Sequence, residues 1–96
     1  MPFLLRGDVM PNLIITAGSV TTAVRLEKRL NAAGIINTAV IHTPPAISSG
    51  GCSYSVRVSY KYLSWVLNIL SERKLKFKKL FKEDSANGES VYNALS

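Results

Sequence analysis

The 96-residue chain has a single cysteine and a single histidine. One cysteine excludes an internal disulfide, which fits a reducing, cytoplasmic setting. One cysteine and one histidine also fall short of a ligand set for zinc, and no metal or other cofactor is expected. No apolar run approaches the length of a membrane span, so no membrane association is expected. Met1 to Met10 lacks a sustained apolar stretch and a cleavage site, which makes it a poor signal peptide. There is no glycine-rich phosphate loop with its lysine and no nucleophile triad. Acidic residues are few, six against twelve basic ones, for a net charge of +6.

What is present is an ordinary globular composition, 47% hydrophobic, in a chain long enough for one domain. A domain this small is marginal unless well packed or oligomeric. The positive charge is local. Seven of the twelve basic residues fall between Lys61 and Lys82. Such a stripe suits nucleic acid, an anionic ligand or an acidic partner. Lysines on an edge strand also block unwanted pairing, and that reading is preferred here, so nucleic acid is not the expected partner.

The first strand is expected at Asn12 to Thr16, a β-rich run between Pro11 and Gly18. Ser19 can cap a helix start. Ala23, Leu26, Leu30 and Ala33 recur at helical spacing, and Gly34 is a natural stop, which predicts a helix from about Val20 to Ala33. Ile36 to Ile41 and Tyr54 to Tyr60 read as the next two strands. In the latter, Tyr54, Val56, Val58 and Tyr60 point one way and Ser55, Arg57 and Ser59 the other, as in a strand with one buried and one wet face. A second helix is expected over about Lys61 to Arg73. Its core stripe is Leu63, Val66, Leu67 and Leu70, and Tyr62, Trp65 and Ile69 form a second stripe suited to a homodimer contact. Leu75 to Lys82 alternates with one slip at Lys78-Lys79, as in a bulged strand. Beyond Glu83 the chain turns polar, and a loose tail is expected.

The order strand, helix, strand, strand, helix, strand predicts an α+β ferredoxin-like βαββαβ sandwich: a four-stranded antiparallel sheet with both helices on one face. The expected organisation is an N-terminal extension over 1–10, the domain over 11–83 and a polar tail over 84–96. In this topology the loop after the second strand shares an end of the sheet with the start of the first helix.

That loop, His42 to Tyr54, concentrates the chemistry. It holds Cys52 and His42, with Pro44-Pro45 and Gly50-Gly51 between strands. A helix N-terminus or nearby cations lower a thiol pKa from about 8.5. Ser19, Ser48, Ser49, Gly50, Gly51, Arg73 and Lys74 are the candidate anion-binding neighbours of the Cys52 thiol, and His42 is a candidate proton partner.

Ile15-Thr16-Ala17-Gly18-Ser19, then Ala23, Glu27 and Leu30, then Ala33-Gly34-Ile35, then Thr43-Pro44, Ile47-Ser48-Ser49 and Cys52 resemble a family of small bacterial proteins described as putative selenium or sulfur carrier-like. The resemblance runs from Asn12 to Lys82. The family usually has arginine after the first proline and glycine after the cysteine, where this chain has Pro45 and Ser53. The resemblance implies that Cys52 accepts sulfur or selenium, as a persulfide or selenosulfide, from a donor protein and passes it to an acceptor. Such a protein is a carrier rather than a turnover enzyme. An RNA-binding ferredoxin-like domain and a non-catalytic dimerisation or regulatory module remain the competing readings.

Overall fold

A computed structural model describes residues 11–48 and 54–95. β1 (Asn12–Ala17) is set off by Pro11 and Gly18, and its Leu13, Ile14, Ile15 and Ala17 are fully buried. A strand so apolar on both faces belongs in the middle of a sheet, and β1 lies there. α1 (Val20–Ala32) follows, with Ala23, Leu26 and Leu30 buried. Ser19 caps it, its Oγ accepting the Thr22 amide at 3.2 Å. The helix ends in a Schellman motif: Gly34 N–H donates to the Asn31 carbonyl and Ile35 N–H to the Leu30 carbonyl, both at 3.0 Å. Gly34 has φ +101°, the left-handed conformation this stop requires.

β2 (Ala39–His42) and β3 (Tyr54–Ser59) pair in antiparallel register, His42 opposite Tyr54. A 3₁₀ turn (Tyr60–Tyr62) leads into α2 (Leu63–Glu72). β4 (Leu80–Ala86) and β5 (Glu89–Ala94) form a hairpin closed by Asn87-Gly88. Both turn residues have positive φ, 54° and 80°, as a two-residue type I′ turn needs. The sheet order is β2-β3-β1-β4-β5, with every neighbouring pair antiparallel. One face carries Leu13, Ile15, Ala17, Val56, Val58 and Leu80. These join Leu26 and Leu30 of α1 and Val66, Ile69 and Leu70 of α2 in a single apolar cluster, so both helices cover that face.

Several expectations are corrected. Among the described residues the sheet has five strands, not four, because the segment expected to be a loose tail supplies β5. The last strand of the expected set begins at Leu80 rather than Leu75. β2 begins at Ala39, after Asn37 adopts a left-handed φ of 62°. α2 buries Val66, Ile69 and Leu70, while Leu67 is exposed. Ile69 is therefore a core residue and not available to a dimer contact; of the expected dimer stripe, Trp65 is exposed and Tyr62 is half-buried against the core. The second face of β3 is not uniformly wet either: Ser55 is fully buried, as are Ile14 and Thr16 beside it.

Candidate functional site

The sheet has two chemically different ends. At one, Ala17 closes β1 opposite Tyr54, and Tyr54 lies opposite His42 at the close of β2. The same end receives the chain before β4. Thr16 N–H donates to the Lys79 carbonyl at 2.9 Å, and Lys78 N–H donates to the Thr16 carbonyl at 2.8 Å. The Thr16 hydroxyl accepts the Lys79 amide at 2.8 Å. These bonds fix Lys78-Lys79 against the end of β1 before regular pairing starts at Leu80.

The backbone fixation has a side-chain consequence. A methyl group at Gly18 would stand 3.0 Å from Lys78 Cε and 3.9 Å from its Nζ. The lysine stem therefore lies across Gly18, and its ammonium sits beside the residue that leads into the Ser19 cap. No acidic residue stands in the first turn of α1. The partial positive charge of that helix start and the Lys78 ammonium thus act in the same place and with the same sign.

The roots of the loop between β2 and β3 are held by side chains. The His42 and Tyr54 rings pack with centroids 4.8 Å apart at 34°. Just past the end of β2, the Thr43 hydroxyl shares a 2.7 Å hydrogen bond with the Ser55 hydroxyl of β3 in a buried site. Beyond Thr43, the Ile47 and Ser48 amides both donate to the Pro44 carbonyl at 3.0 Å. Pro44 to Ser48 is thereby folded back as a tight turn.

Of the residues singled out from the sequence, Ser19 and His42 come to this end of the sheet. Ser48 belongs to the exposed end of the Pro44 turn. Arg73 is the exposed C-cap of α2. Lys74 follows it and borders a cleft with Thr22, Arg25, Leu26, Arg29, Leu75 and Lys76, about one turn along α1 from its cap. Ser49, Gly50, Gly51 and Cys52 lie outside the described residues. Sequence reasoning missed Lys78. The signal was Gly18, a glycine between a strand and a helix cap, which commonly marks the close approach of another group.

The opposite end of the sheet carries carboxylates with partners. Glu83 is largely buried, accepts hydrogen bonds from Asn12 Nδ2 at 3.0 Å and the Tyr92 hydroxyl at 2.9 Å, and lies 3.4 Å from Arg57 Nε. Burial, reinforced by the Glu83 hydrogen bond, raises the Tyr92 phenol above its ordinary value. Asp84 pairs with Lys82 at 3.7 Å. Among the described residues, no group of three His, Cys, Asp or Glu is placed to hold a metal ion, and no helix is long and apolar enough to cross a membrane.

No curated protein and no solved structure matches the chain. A family model does, over residues 12–82, which takes in β1, both helices, the His42–Tyr54 loop and the start of β4. The chain belongs to the family described as Putative Se/S carrier protein-like.

Proposed function

We propose that the protein is a sulfur or selenium carrier whose cargo is held on Cys52. The Cys52 thiolate attacks the terminal sulfur of a donor persulfide. A new S–S bond forms at Cys52, the donor's S–S bond breaks, and the donor leaves as a thiolate. In delivery an acceptor nucleophile attacks that terminal sulfur and Cys52 departs as the thiolate. Selenium follows the same course from a donor that presents it at the terminal position. Neither step consumes an oxidant or a reductant, so the chain acts as a substrate of its donor and acceptor proteins.

The observation that carries this reading is the family match across the whole segment containing Cys52. The geometry around the loop roots supports it. Cys52 stands two residues before Tyr54 in the chain, and Tyr54 belongs to the end of the sheet where Lys78 and the start of α1 combine their positive character. Cations and helix starts favour the thiolate over the thiol. We also infer that β1 to β4 with the two helices form a ferredoxin-like unit, extended by β5. The order β2-β3-β1-β4 and the placement of both helices on one face support that assignment.

The test is transfer of radiolabelled sulfur from a cysteine desulfurase, with Cys52→Ser as the comparison. Label retained by the wild type, released by reductant and absent from the variant is the expected result. Equal labelling of both proteins, or a Cys52 thiol inert to alkylation in the folded protein from pH 6 to 9, overturns the proposal.

A further inference from the structure

The cations of the segment before β4 do not guard a sheet edge. β4 is covered by β5, and Lys74, Lys76, Lys78 and Lys79 all precede β4. Lys74, Lys76 and Lys78 border a succession of three shallow depressions. The first is lined by Thr21, Val24, Arg25, Lys28, Arg29 and Ala32 on the outer side of α1. The second shares Arg25 and Arg29 with it and adds Lys74 and Lys76. The third shares Thr22, Leu75 and Lys76 with the second and ends at Gly18 and Lys78. Among the described residues, six cations line this track and no carboxylate does. The ion pairs among the described residues, Arg57–Glu83 and Lys82–Asp84, take none of the six.

Lys74 adds an independent observation. α2 ends in the same Schellman arrangement as α1: Lys74 N–H donates to the Ser71 carbonyl at 3.3 Å and Leu75 N–H to the Leu70 carbonyl at 3.1 Å. Lys74 occupies the position held by Gly34 in α1, with φ +50°. A side chain there is a disfavoured choice on backbone grounds, and glycine is the usual one. The positive charge sits in the track despite that cost.

From these features we infer that the track binds single-stranded nucleic acid through its phosphodiester backbone. Its length decides against a lone anion. Thr21 to Ala32 alone is twelve residues of helix, about 17 Å from first to last at a rise of 1.5 Å per residue. The depressions are open, and their walls mix cationic side chains with Val24, Leu26, Leu75 and Phe77, unlike an enclosed small-molecule pocket. Two arginines suit bidentate contacts to phosphate. Among the described residues, Phe77, at the Gly18 end, is the one aromatic on the lining and is packed against the core, so contacts to bases contribute little and sequence preference is weak. The inference does not depend on Cys52 or on sulfur transfer.

Fluorescence anisotropy of the full chain with a labelled mixed-sequence 12-nucleotide RNA, from 50 to 200 mM salt, tests it. With four phosphates engaged, log K falls against log salt with a slope of roughly −3. Arg25→Gln/Arg29→Gln lowers affinity at least tenfold and flattens the slope by about 1.4. Lys74→Gly flattens it by about 0.7 and leaves the melting temperature unchanged or higher, which separates loss of binding from loss of folding. Lys82→Gln, off the track, leaves both affinity and slope as they were. No binding at 50 mM salt overturns the inference. So does an equal effect of Lys82→Gln and Arg25→Gln, which would reduce the matter to net charge. Competition by ATP or polyglutamate as effective as that by unlabelled RNA, at equal charge, would reassign the track to a free phosphate compound or an acidic protein.

Discussion

Replacing Thr43 by valine keeps the shape of the side chain and removes its hydroxyl. The Ser55 hydroxyl, at 0% exposure, then faces no other hydrogen-bond partner among the described residues. An unsatisfied buried polar group costs about 1–3 kcal/mol, more than the net worth of the hydrogen bond itself. Thr43→Val is therefore expected to destabilise the domain by about 2 kcal/mol. The double variant Thr43→Val/Ser55→Ala removes both partners together. It leaves nothing orphaned and is expected to cost less than about 1 kcal/mol. Urea denaturation followed by Trp65 fluorescence reads both. At an m value of about 1.5 kcal/mol per molar urea, the single variant lowers the midpoint by about 1.3 M and the double variant by half of that or less. The ordering is what matters: the double variant is the more stable of the two. A double variant as unstable as the sum of the single ones would show the two hydroxyls uncoupled, and the account of the loop root would fail.

Gly34→Ala places a Cβ at φ +101° and 3.3 Å from Trp65 Cη2, so a loss of about 1–3 kcal/mol and a shift in tryptophan emission are expected; an unchanged melting temperature would contradict the helix stop described above. Tyr92 titrates above its ordinary value of 10.0 in the folded chain, so the unfolded chain releases that proton first as pH rises. Its contribution is fully present below pH 10 and is lost as pH climbs through the raised folded value. Melts between pH 8 and 11.5 should show a steeper alkaline decline for the wild type than for Tyr92→Phe, and parallel curves would refute the assignment.

The parts of the fold that were legible in the sequence carry their own punctuation. β1 lies between Pro11 and Gly18, and α1 has both a serine cap and a glycine stop. Their observed limits differ from the expected ones by a residue. β3 was legible through alternation, though only half of the inference held. The alternation sorts the faces correctly, but it cannot tell that Ser55 is buried, because Thr43, twelve residues earlier, satisfies its hydroxyl. The face of α2 was misjudged for a similar reason. Leu67 and Ile69 are both strongly apolar, and composition alone does not say which of the two faces the sheet. Trp65, next to them, lies across the bare backbone of Gly34. Leu75 to Lys82 alternates like a strand, yet the Schellman stop holds Leu75, the bonds to Thr16 hold Lys78 and Lys79, and the strand begins only at Leu80. The hairpin that follows announced itself in Asn87-Gly88, a strong short-range turn signal, and was hidden only by the polarity of its surroundings. At the site, Ser19 and His42 were found because cap and strand-end residues follow from local sequence. Gly18 signals that some group comes close, but that the group is Lys78, sixty residues later, is a contact no local pattern names.

The hairpin changes the electrostatics as well as the strand count. The family match ends at Lys82, and Glu83, Asp84 and all of β5 lie beyond it. Glu83 and Asp84 engage Arg57 and Lys82 at the end of the sheet remote from Tyr54, so two of the chain's six carboxylates are committed there. Glu27 and Glu72 line none of the three basic depressions. Among the described residues, the end bearing His42, Gly18 and Lys78 has cations and a helix start and no partnered carboxylate. Opposite charges within a Debye length of about 8 Å would cancel much of that field, and the fold keeps Glu83 and Asp84 a full strand away. A positive field of this kind does not discriminate between anions. It favours the thiolate form of a cysteine and draws a phosphate backbone for the same reason, so the charge separation along the sheet underlies both proposals even though each stands or falls on its own experiment.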